Sequence, residues 1–197
     1  MITAIILAAG ASKRFGRNKL LETINGKPMI KWTVEAALNS MANEVVVVLG
    51  FEAEKVAEAI KDLPCKKVIN ENYEEGMSSS VKCGLRNAMD KSMAILIIPG
   101  DCPLIRSEDI NKVIKRYIET RKPIVIATHK GRRGHPIMIS RELFEEVMGI
   151  SEEGMGLKEV IKRHEMEIAY AETENAGVIR DIDNPEDLKE ALKLMRK

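Results

Sequence analysis

The sequence predicts a three-layer, Rossmann-like α/β protein with a mostly parallel, mixed central sheet between two layers of helices. Short apolar runs alternate with segments of helical apolar spacing along the 197 residues. These runs contain few polar positions, which is typical of strands buried on both faces of a parallel sheet. The alternation predicts right-handed crossovers between the parallel strands. At 197 residues the chain is most simply one domain, residues 1–197.

The first element is a strand that leads into small residues and then into a group of cations. Residues 2–7 form an apolar run rich in β-branched side chains. Five small residues follow: Ala8, Ala9, Gly10, Ala11 and Ser12. Four cations lie within the next seven residues, and no acid precedes Glu22: Lys13, Arg14, Arg17 and Lys19. Small residues let backbone N–H groups approach an anion, so the pattern indicates a polyphosphate cradle; the alternative is an ordinary loop with solvated cations.

Two familiar nucleotide-binding loops are excluded at this position. The dinucleotide fingerprint needs glycine at its first, third and sixth positions, whereas Gly10 and Gly16 are separated by five residues. The P-loop needs Gly-Lys followed by Ser or Thr, whereas Gly16 is followed by Arg17.

The remaining elements continue the alternation of helices and strands. Helices are predicted over residues 29–41, 53–63, 81–89, 107–121, 141–148, within 152–162, and from 185. Strands are predicted over residues 44–50, 66–70, 93–98, 123–128 and 166–171, with a glycine-bounded hairpin after 128. The apolar face of the helix over 107–121 comprises Ile110, Val113, Ile114, Tyr117 and Ile118.

A serine-rich segment precedes the helix over 81–89. Gly76 frees the turn, and Ser78, Ser79 or Ser80 can cap the helix. Serine is common at ordinary helix starts. The functional interpretation is that hydroxyls and free N–H groups there bind a base edge or a phosphate.

Asp101 follows the strand over 93–98. Open α/β sheets bind ligands at the carboxyl ends of their strands, which favours a ligand role for this residue. A helix-capping aspartate is the alternative, but the next helix starts near Ser107. Mg²⁺ takes one or two carboxylates and fills its other positions with phosphate oxygens and water, so Asp101 is a candidate metal ligand.

The hairpin turn carries Arg132, Arg133 and His135. Such residues are either solvated, as turn residues usually are, or face the phosphate of an acceptor substrate. Near the end of the chain, Asp181 and Asp183 are predicted to share one face of a strand. The Asn184 cap of the last helix leaves this pair of aspartates unexplained.

Five segments resemble the nucleotidyltransferases that share the glycosyltransferase-A-type fold. L-A-A-G-A-S-K-R-F-G-R-N-K-L, residues 7–20, resembles their signature loop. G-M-S-S-S-V-K-C-G-L, P-G-D-C-P-L-I, G-R-R-G-H-P and D-I-D-N-P-E-D-L resemble further segments, in the order found in that family. The serine-rich and Gly-His-Pro segments look closest to the molybdenum cofactor cytidylyltransferases. Cys102 stands where the family often has a bulkier residue.

The resemblance implies this fold and a role for each site residue. Arg14 and Lys19 would neutralise charge on the reacting phosphate and the departing pyrophosphate, while Asp101 and Asp183 would hold Mg²⁺. His135 would be a substrate-side residue rather than a general base. The residues that it implies for nucleotide or acceptor binding are Leu7, Ala8, Ala9, Gly10, Ser12, Gly76, Ser80, Gly100 and His135.

The implied activity is the Mg²⁺-dependent transfer of CMP from CTP to molybdopterin, with release of pyrophosphate. The alternatives are a molybdenum cofactor guanylyltransferase, or a cytidylyl- or uridylyltransferase acting on a sugar or alcohol phosphate. A nucleotide-binding regulator or cofactor chaperone without turnover is the alternative outside enzymes. A transient contact with a molybdoenzyme apoprotein is also expected.

Composition limits the remaining classes. The net charge of +1 argues against a general binder of nucleic acids or membrane surfaces. The three cysteines, Cys65, Cys83 and Cys102, have neither a disulfide nor a zinc pattern. With no signal-peptide or membrane-span pattern, a cytoplasmic location is expected.

Overall fold

The computed structural model describes residues 1–194, except for the side chain of Lys13. The last three residues of the predicted domain, 195–197, lie outside the described residues. The strands are β1 Ile2–Ala8, β2 Thr23–Ile24, β3 Lys27–Pro28, β4 Glu44–Leu49, β5 Lys66–Ile69, β6 Ala94–Pro99, β7 Ile124–His129, β8 Arg132–Ser140 and β9 Ile168–Glu172. The α-helices are α1 Met29–Leu38, α2 Ala53–Ala59, α3 Met77–Arg86, α4 Ser107–Thr120, α5 Phe144–Met148, α6 Leu157–Arg163 and α7 Pro185–Leu194.

Seven strands form one sheet in the order β5-β4-β1-β6-β8-β7-β9. The pairs β1–β4, β1–β6, β4–β5 and β7–β9 are parallel, whereas β8 is antiparallel to both of its neighbours. The predicted hairpin connects β7 to β8 through Lys130 and Gly131, which have φ angles of 50° and 74°. The mostly parallel, mixed sheet is therefore confirmed.

The sheet separates two apolar cores because successive side chains of a strand point to opposite faces. Ala4 and Ile6 of β1 belong to a core that also contains buried residues of α1, α2 and α4. Ile5 belongs to the other core, with buried residues of α3, α5 and α6. The three-layer architecture is confirmed. One predicted core residue is wrong, since Ile118 is 45% exposed at the edge of the apolar stripe of α4.

Helices α1, α2 and α3 end earlier than predicted, and local contacts act at the ends of the first two. After α1, the Ser40 hydroxyl donates to the carbonyl of Ala37 (2.7 Å) and accepts from the N–H of Ala42 (3.1 Å), which competes with helical hydrogen bonds. After α2, Pro64 disfavours a helical backbone at Leu63. The predicted helix 53–63 is only the seven residues of α2, which ends at Ala59.

None of the helices within residues 1–194 combines the length and the apolar composition that a membrane span needs. The three cysteines are free thiols; Cys102 is buried, and Cys65 and Cys83 are half-buried.

Candidate active site

The site lies at the carboxyl ends of β1 and β6. Leu7 and Pro99 pair in register at these ends. From β1 the chain builds β4 and β5 on one side and then returns to β6 on the other. The connections after β1 and β6 therefore diverge, and this reversal of strand order leaves a crevice in open α/β sheets.

The crevice is a cleft of about 1120 Å³ that gathers most of the predicted site residues. Those that line it are Leu7, Ala9, Gly10, Ser12, Arg14, Lys19, Gly76, Ser80, Asp101, His135 and Asp183. Ala8 and Gly100 do not line it. Ala8 is buried in the core, and the Gly100 N–H donates to the carbonyl of Leu7 at 2.8 Å. A Cβ on Gly100 would lie 2.9 Å from Ile30, so this glycine serves close packing.

The loop after β1 is folded by its own hydrogen bonds. Ser12 has a left-handed backbone (φ 50°), and its carbonyl accepts from the N–H of Phe15 at 2.8 Å. Its hydroxyl accepts from the N–H of Lys19 at 3.3 Å. The hydrogen bonds of the described residues include none donated by the N–H groups of Gly10, Ala11 or Ser12. These N–H groups are available to an anion in the cleft, as the predicted cradle requires.

The serine-rich segment differs from the prediction, because α3 begins at Met77 and none of the serines caps it. Gly76, with φ 99°, turns the chain directly into the helix, so the serines lie buried in its first turn. Asn70, next to the end of β5, donates to the hydroxyls of Ser79 (2.8 Å) and Ser80 (3.1 Å). Ser80 is therefore held in a fixed position in the wall of the cleft.

Glu152 contacts the start of α3 and is a residue that sequence reasoning missed. Its carboxylate accepts from the N–H of Ser78, in the first turn of α3. A carboxylate is favourable there because the helix dipole is positive at its N-terminus. A Cβ on Gly76 would collide with the Glu152 side chain, so the segment between α5 and α6 packs directly on this turn. The glycines beside Glu152 were the only sequence signal.

Three carboxylates meet opposite the loop. Oxygens of Asp101, Asp181 and Asp183 lie within 4.8 Å of one another. A backbone hydrogen bond from the N–H of Ile182 to the carbonyl of Asp101 (3.0 Å) joins the two segments. The predicted strand over Asp181–Asp183 is wrong, since this segment has no partner strand, although burial of Ile182 turns both aspartates towards the cleft. The predicted Asn184 cap is confirmed by its bond from the Asp187 N–H (2.9 Å).

Among the described side chains of the loop, two cations contact the acid cluster. Lys19 Nζ lies 2.6 Å from Asp101 Oδ2 and 3.0 Å from Asp183 Oδ1, and Arg14 lies 2.9 Å from Asp183 Oδ2. Burial by itself lowers the pKa of the Lys19 amine, but the charges and hydrogen bonds of both aspartates outweigh it and raise that pKa. Burial would raise the pKa of Asp183, but Lys19 and Arg14 lower it instead. Lys19 and Asp183 therefore carry opposite charges at neutral pH.

The donor set fits a divalent cation. Mg²⁺ and Mn²⁺ prefer oxygen ligands, and the three clustered carboxylates supply them. Lys19 makes its ion pairs with two of these three groups, so a cation bound there would have to displace or share its contacts.

The basic residues predicted for the hairpin turn lie on strand β8 instead. His135 lines the cleft, and within the described residues its buried Nδ1 has no hydrogen-bond partner. Burial lowers the pKa of His135 despite the opposing charges of Asp101 and Asp181, so its ring is neutral at pH 7. Arg133 contacts Glu165 at 2.5 Å, whereas Arg132 is exposed and lines neither described pocket.

Comparison with known proteins gives one matching family. The model described as MobA-like NTP transferase domain matches residues 4–168. Among curated relatives, the bifunctional protein GlmU of Syntrophotalea carbinolica is 31% identical over 156 residues, which are 77% of this chain and 33% of that protein. The chain thus spans about a third of the length of the first of these relatives.

Several solved structures share the fold. Rv0371c of Mycobacterium tuberculosis H37Rv is 22% identical over 98% of this chain and 97% of its own, with a TM-score of 0.86; its complex with manganese gives 0.82. A CMP:2-keto-3-deoxy-manno-octonic acid synthetase complexed with CTP gives 0.79 at 18% identity, covering 99% and 98% of the two chains. Molybdopterin-guanine dinucleotide biosynthesis protein A of Archaeoglobus fulgidus gives 0.72 at 17% identity, covering 98% of each.

Proposed function

The chain belongs to the family of MobA-like NTP transferase domains, and we propose that it is a nucleotidyltransferase that moves CMP from CTP to molybdopterin. The observation that carries the proposal is the convergence, in one cleft, of the loop after β1, the start of α3 and the acid cluster with Lys19. A nucleotide needs all three: a phosphate cradle, a wall for its base and groups that manage phosphate charge.

The residues have distinct tasks in this proposal. The free N–H groups of Gly10, Ala11 and Ser12 bind the triphosphate, and Gly76 and Ser80 lie beside the base. Asp101 and Asp183, with Asp181 beside them, hold a divalent cation. Such a cation supplies charge neutralisation at phosphate oxygens.

An ionised phosphate oxygen of the acceptor attacks the α-phosphorus of the nucleotide. One P–O bond forms as the bond to the β-phosphoryl group breaks, and pyrophosphate leaves with the bonding electron pair. A phosphate monoester is already largely ionised at pH 7, so no general base is required. Arg14 and Lys19 then turn from the aspartates to the charge on the transferring group, as expected for electrostatic catalysis of phosphoryl transfer.

The resemblance of the serine-rich segment to the molybdenum cofactor cytidylyltransferases supports both CTP and molybdopterin. The CTP complex of one protein of the same fold supports the choice of CTP alone. The alternative is transfer of GMP, which the name of the Archaeoglobus protein favours. Sugar or alcohol phosphates are the other candidate acceptors. Mg²⁺ as the metal, the cytoplasm as the location and a molybdoenzyme apoprotein as the recipient stay predictions.

The test is pyrophosphate release from CTP, GTP, ATP and UTP with Mg²⁺, with and without molybdenum-loaded molybdopterin. Release from CTP that requires the pterin supports the proposal, whereas release from GTP alone replaces it with guanylyl transfer. If CTP binds but the pterin gives no pyrophosphate, sugar and alcohol phosphates are tested next as acceptors, and a nucleotide-binding regulator or chaperone is favoured only if these also fail.

Asp101→Asn provides the matched variant. The substitution keeps the shape of the side chain but removes its charge, so we expect pyrophosphate release to fall by about a thousandfold without unfolding. Asp90→Asn is the control, because Asp90 is exposed and lies outside the cleft. Near-normal turnover by Asp101→Asn would remove this aspartate from the mechanism.

A further inference from the structure

A second pocket adjoins the nucleotide cleft. It has a volume of about 410 Å³, and His135 and Asp181 line both cavities. A molecule in this pocket therefore reaches the edge of the acid cluster. Apolar side chains form much of its remaining wall: Ile126, Ile137, Ile161, Val178 and Ile179.

The described linings of the two cavities have opposite charge. Among the described residues, four carboxylates and two cations line the cleft, so their net charge is negative in the absence of a metal ion. The lining of the adjoining pocket includes four cations and two carboxylates: Arg133, Lys158, Lys162 and Arg180 against Glu165 and Asp181. The adjoining pocket therefore attracts anions without any metal.

Two of the four cations are already engaged. Arg133 contacts Glu165 at 2.5 Å and the Tyr170 hydroxyl, and Arg180 contacts Glu190 at 3.0 Å. Among the described residues, no ion pair involves Lys158 or Lys162. These two lysines are the cations that remain available to a ligand.

The placement of this lysine pair does not stabilise α6. Lys158 and Lys162 are four residues apart on α6, where like charges destabilise a helix. Lys162 gains from its place in the last turn, near the negative end of the helix dipole. Lys158 lies in the first turn, where the dipole disfavours a cation. An anionic ligand would offset both penalties.

We propose that the adjoining pocket holds the body of the acceptor, and that Lys158 and Lys162 bind a second anionic group on it. This group is distinct from the phosphate whose oxygen attacks at the boundary near Asp181. The proposal rests on the proposed nucleotidyl transfer and narrows its substrate class. The acceptor carries two anionic groups and an apolar body, and a simple alcohol phosphate is a poor substrate.

Binding of inorganic phosphate tests the pocket without turnover. The full chain is titrated at low ionic strength in the absence of metal, when the acid cluster repels anions from the cleft. We expect one saturable site, and Lys158→Met/Lys162→Met should weaken it by about tenfold because two exposed charge pairs are lost. Lys189→Met/Lys193→Met is the control, since this exposed pair has the same spacing on α7 and lines neither described pocket.

Three results of the titration overturn the proposal: no saturable binding, equal weakening in both double variants, or displacement of the phosphate by CTP. None of them depends on whether the protein transfers nucleotides. Once turnover is established, the α6 variant should raise the acceptor KM and leave the CTP KM unchanged. A rise confined to the CTP KM contradicts an acceptor pocket while leaving nucleotidyl transfer intact.

Discussion

Lys19 gives the sharpest prediction, because its ammonium group is paired with two of the proposed metal ligands. In Lys19→Met the side chain keeps its length but loses the ion pairs to Asp101 (2.6 Å) and Asp183 (3.0 Å). The carboxylates then face one another with Arg14 as the remaining described ion-pair partner. We therefore expect opposite effects on two properties: a divalent cation binds more tightly, and turnover falls.

The size of the metal effect follows from the charges. Two unit charges about 4 Å apart interact by about 4 kcal/mol at an effective dielectric constant of about 20. The Asp101 and Asp183 side chains keep 17% and 26% of their exposure, so solvent screening reduces this figure. Taking half of it, about 2 kcal/mol, predicts that Mn²⁺ binds about thirtyfold more tightly to the variant.

The assay measures free Mn²⁺ by electron paramagnetic resonance in the absence of nucleotide, and pyrophosphate release in a separate experiment. We expect turnover to fall by about a thousandfold, since Lys19 no longer stabilises charge on the transferring phosphate. Lys31→Met is the control, because Lys31 pairs with Asp62 (2.5 Å) outside the cleft. Unchanged or weaker Mn²⁺ binding in Lys19→Met would refute competition for the cluster, and near-normal turnover would refute the catalytic role.

Two further predictions concern other parts of the molecule. Gly76→Ala should destabilise the fold by about 1–2 kcal/mol in urea unfolding and should weaken CTP binding. The reasons are that Gly76 has a φ of 99° and that the new Cβ would collide with the Glu152 side chain. Unchanged stability would contradict the packing described. Hydrogen bonds and charges from Glu167 and Glu146 raise the pKa of His164. The protonated ring therefore adds fully to the free energy of unfolding below pH 6.5, and this stabilisation is lost as the pH rises through the raised pKa. His164→Gln should therefore lower the free energy of unfolding at pH 5.5 and have no effect on it by pH 9. A difference in unfolding free energy that does not change with pH would contradict this linkage.

Local sequence predicted most of the elements because their signals are local. The apolar runs that became β1, β4, β6 and β7 read directly as buried strands, and Asn184–Pro185 marked the start of α7. Some errors were local, at the ends of α1 and α2, and others occurred where pairing or packing between elements decided the outcome. The segment with Arg133 and His135 looked like a turn, but pairing with β7 makes it a strand.

The sequence by itself determined which chemical groups the site contains. The small residues after β1, the cations Arg14 and Lys19, and the aspartates at two segment ends are all visible in the chain. Their types limit the chemistry to anions and hard cations, because residue type fixes charge and ligand preference wherever a residue lies.

Only the tertiary structure decided how these groups meet. The hydrogen bond between Ile182 and Asp101 joins segments about eighty residues apart, and it places three carboxylates together against Lys19. The tertiary structure also places the Glu152 carboxylate against the first turn of α3, and it brings Lys158 and Lys162 to a pocket next to the acid cluster. Spacing along the chain carries no information about such contacts, because they depend on the order of strands in the sheet and on how the helices pack over it.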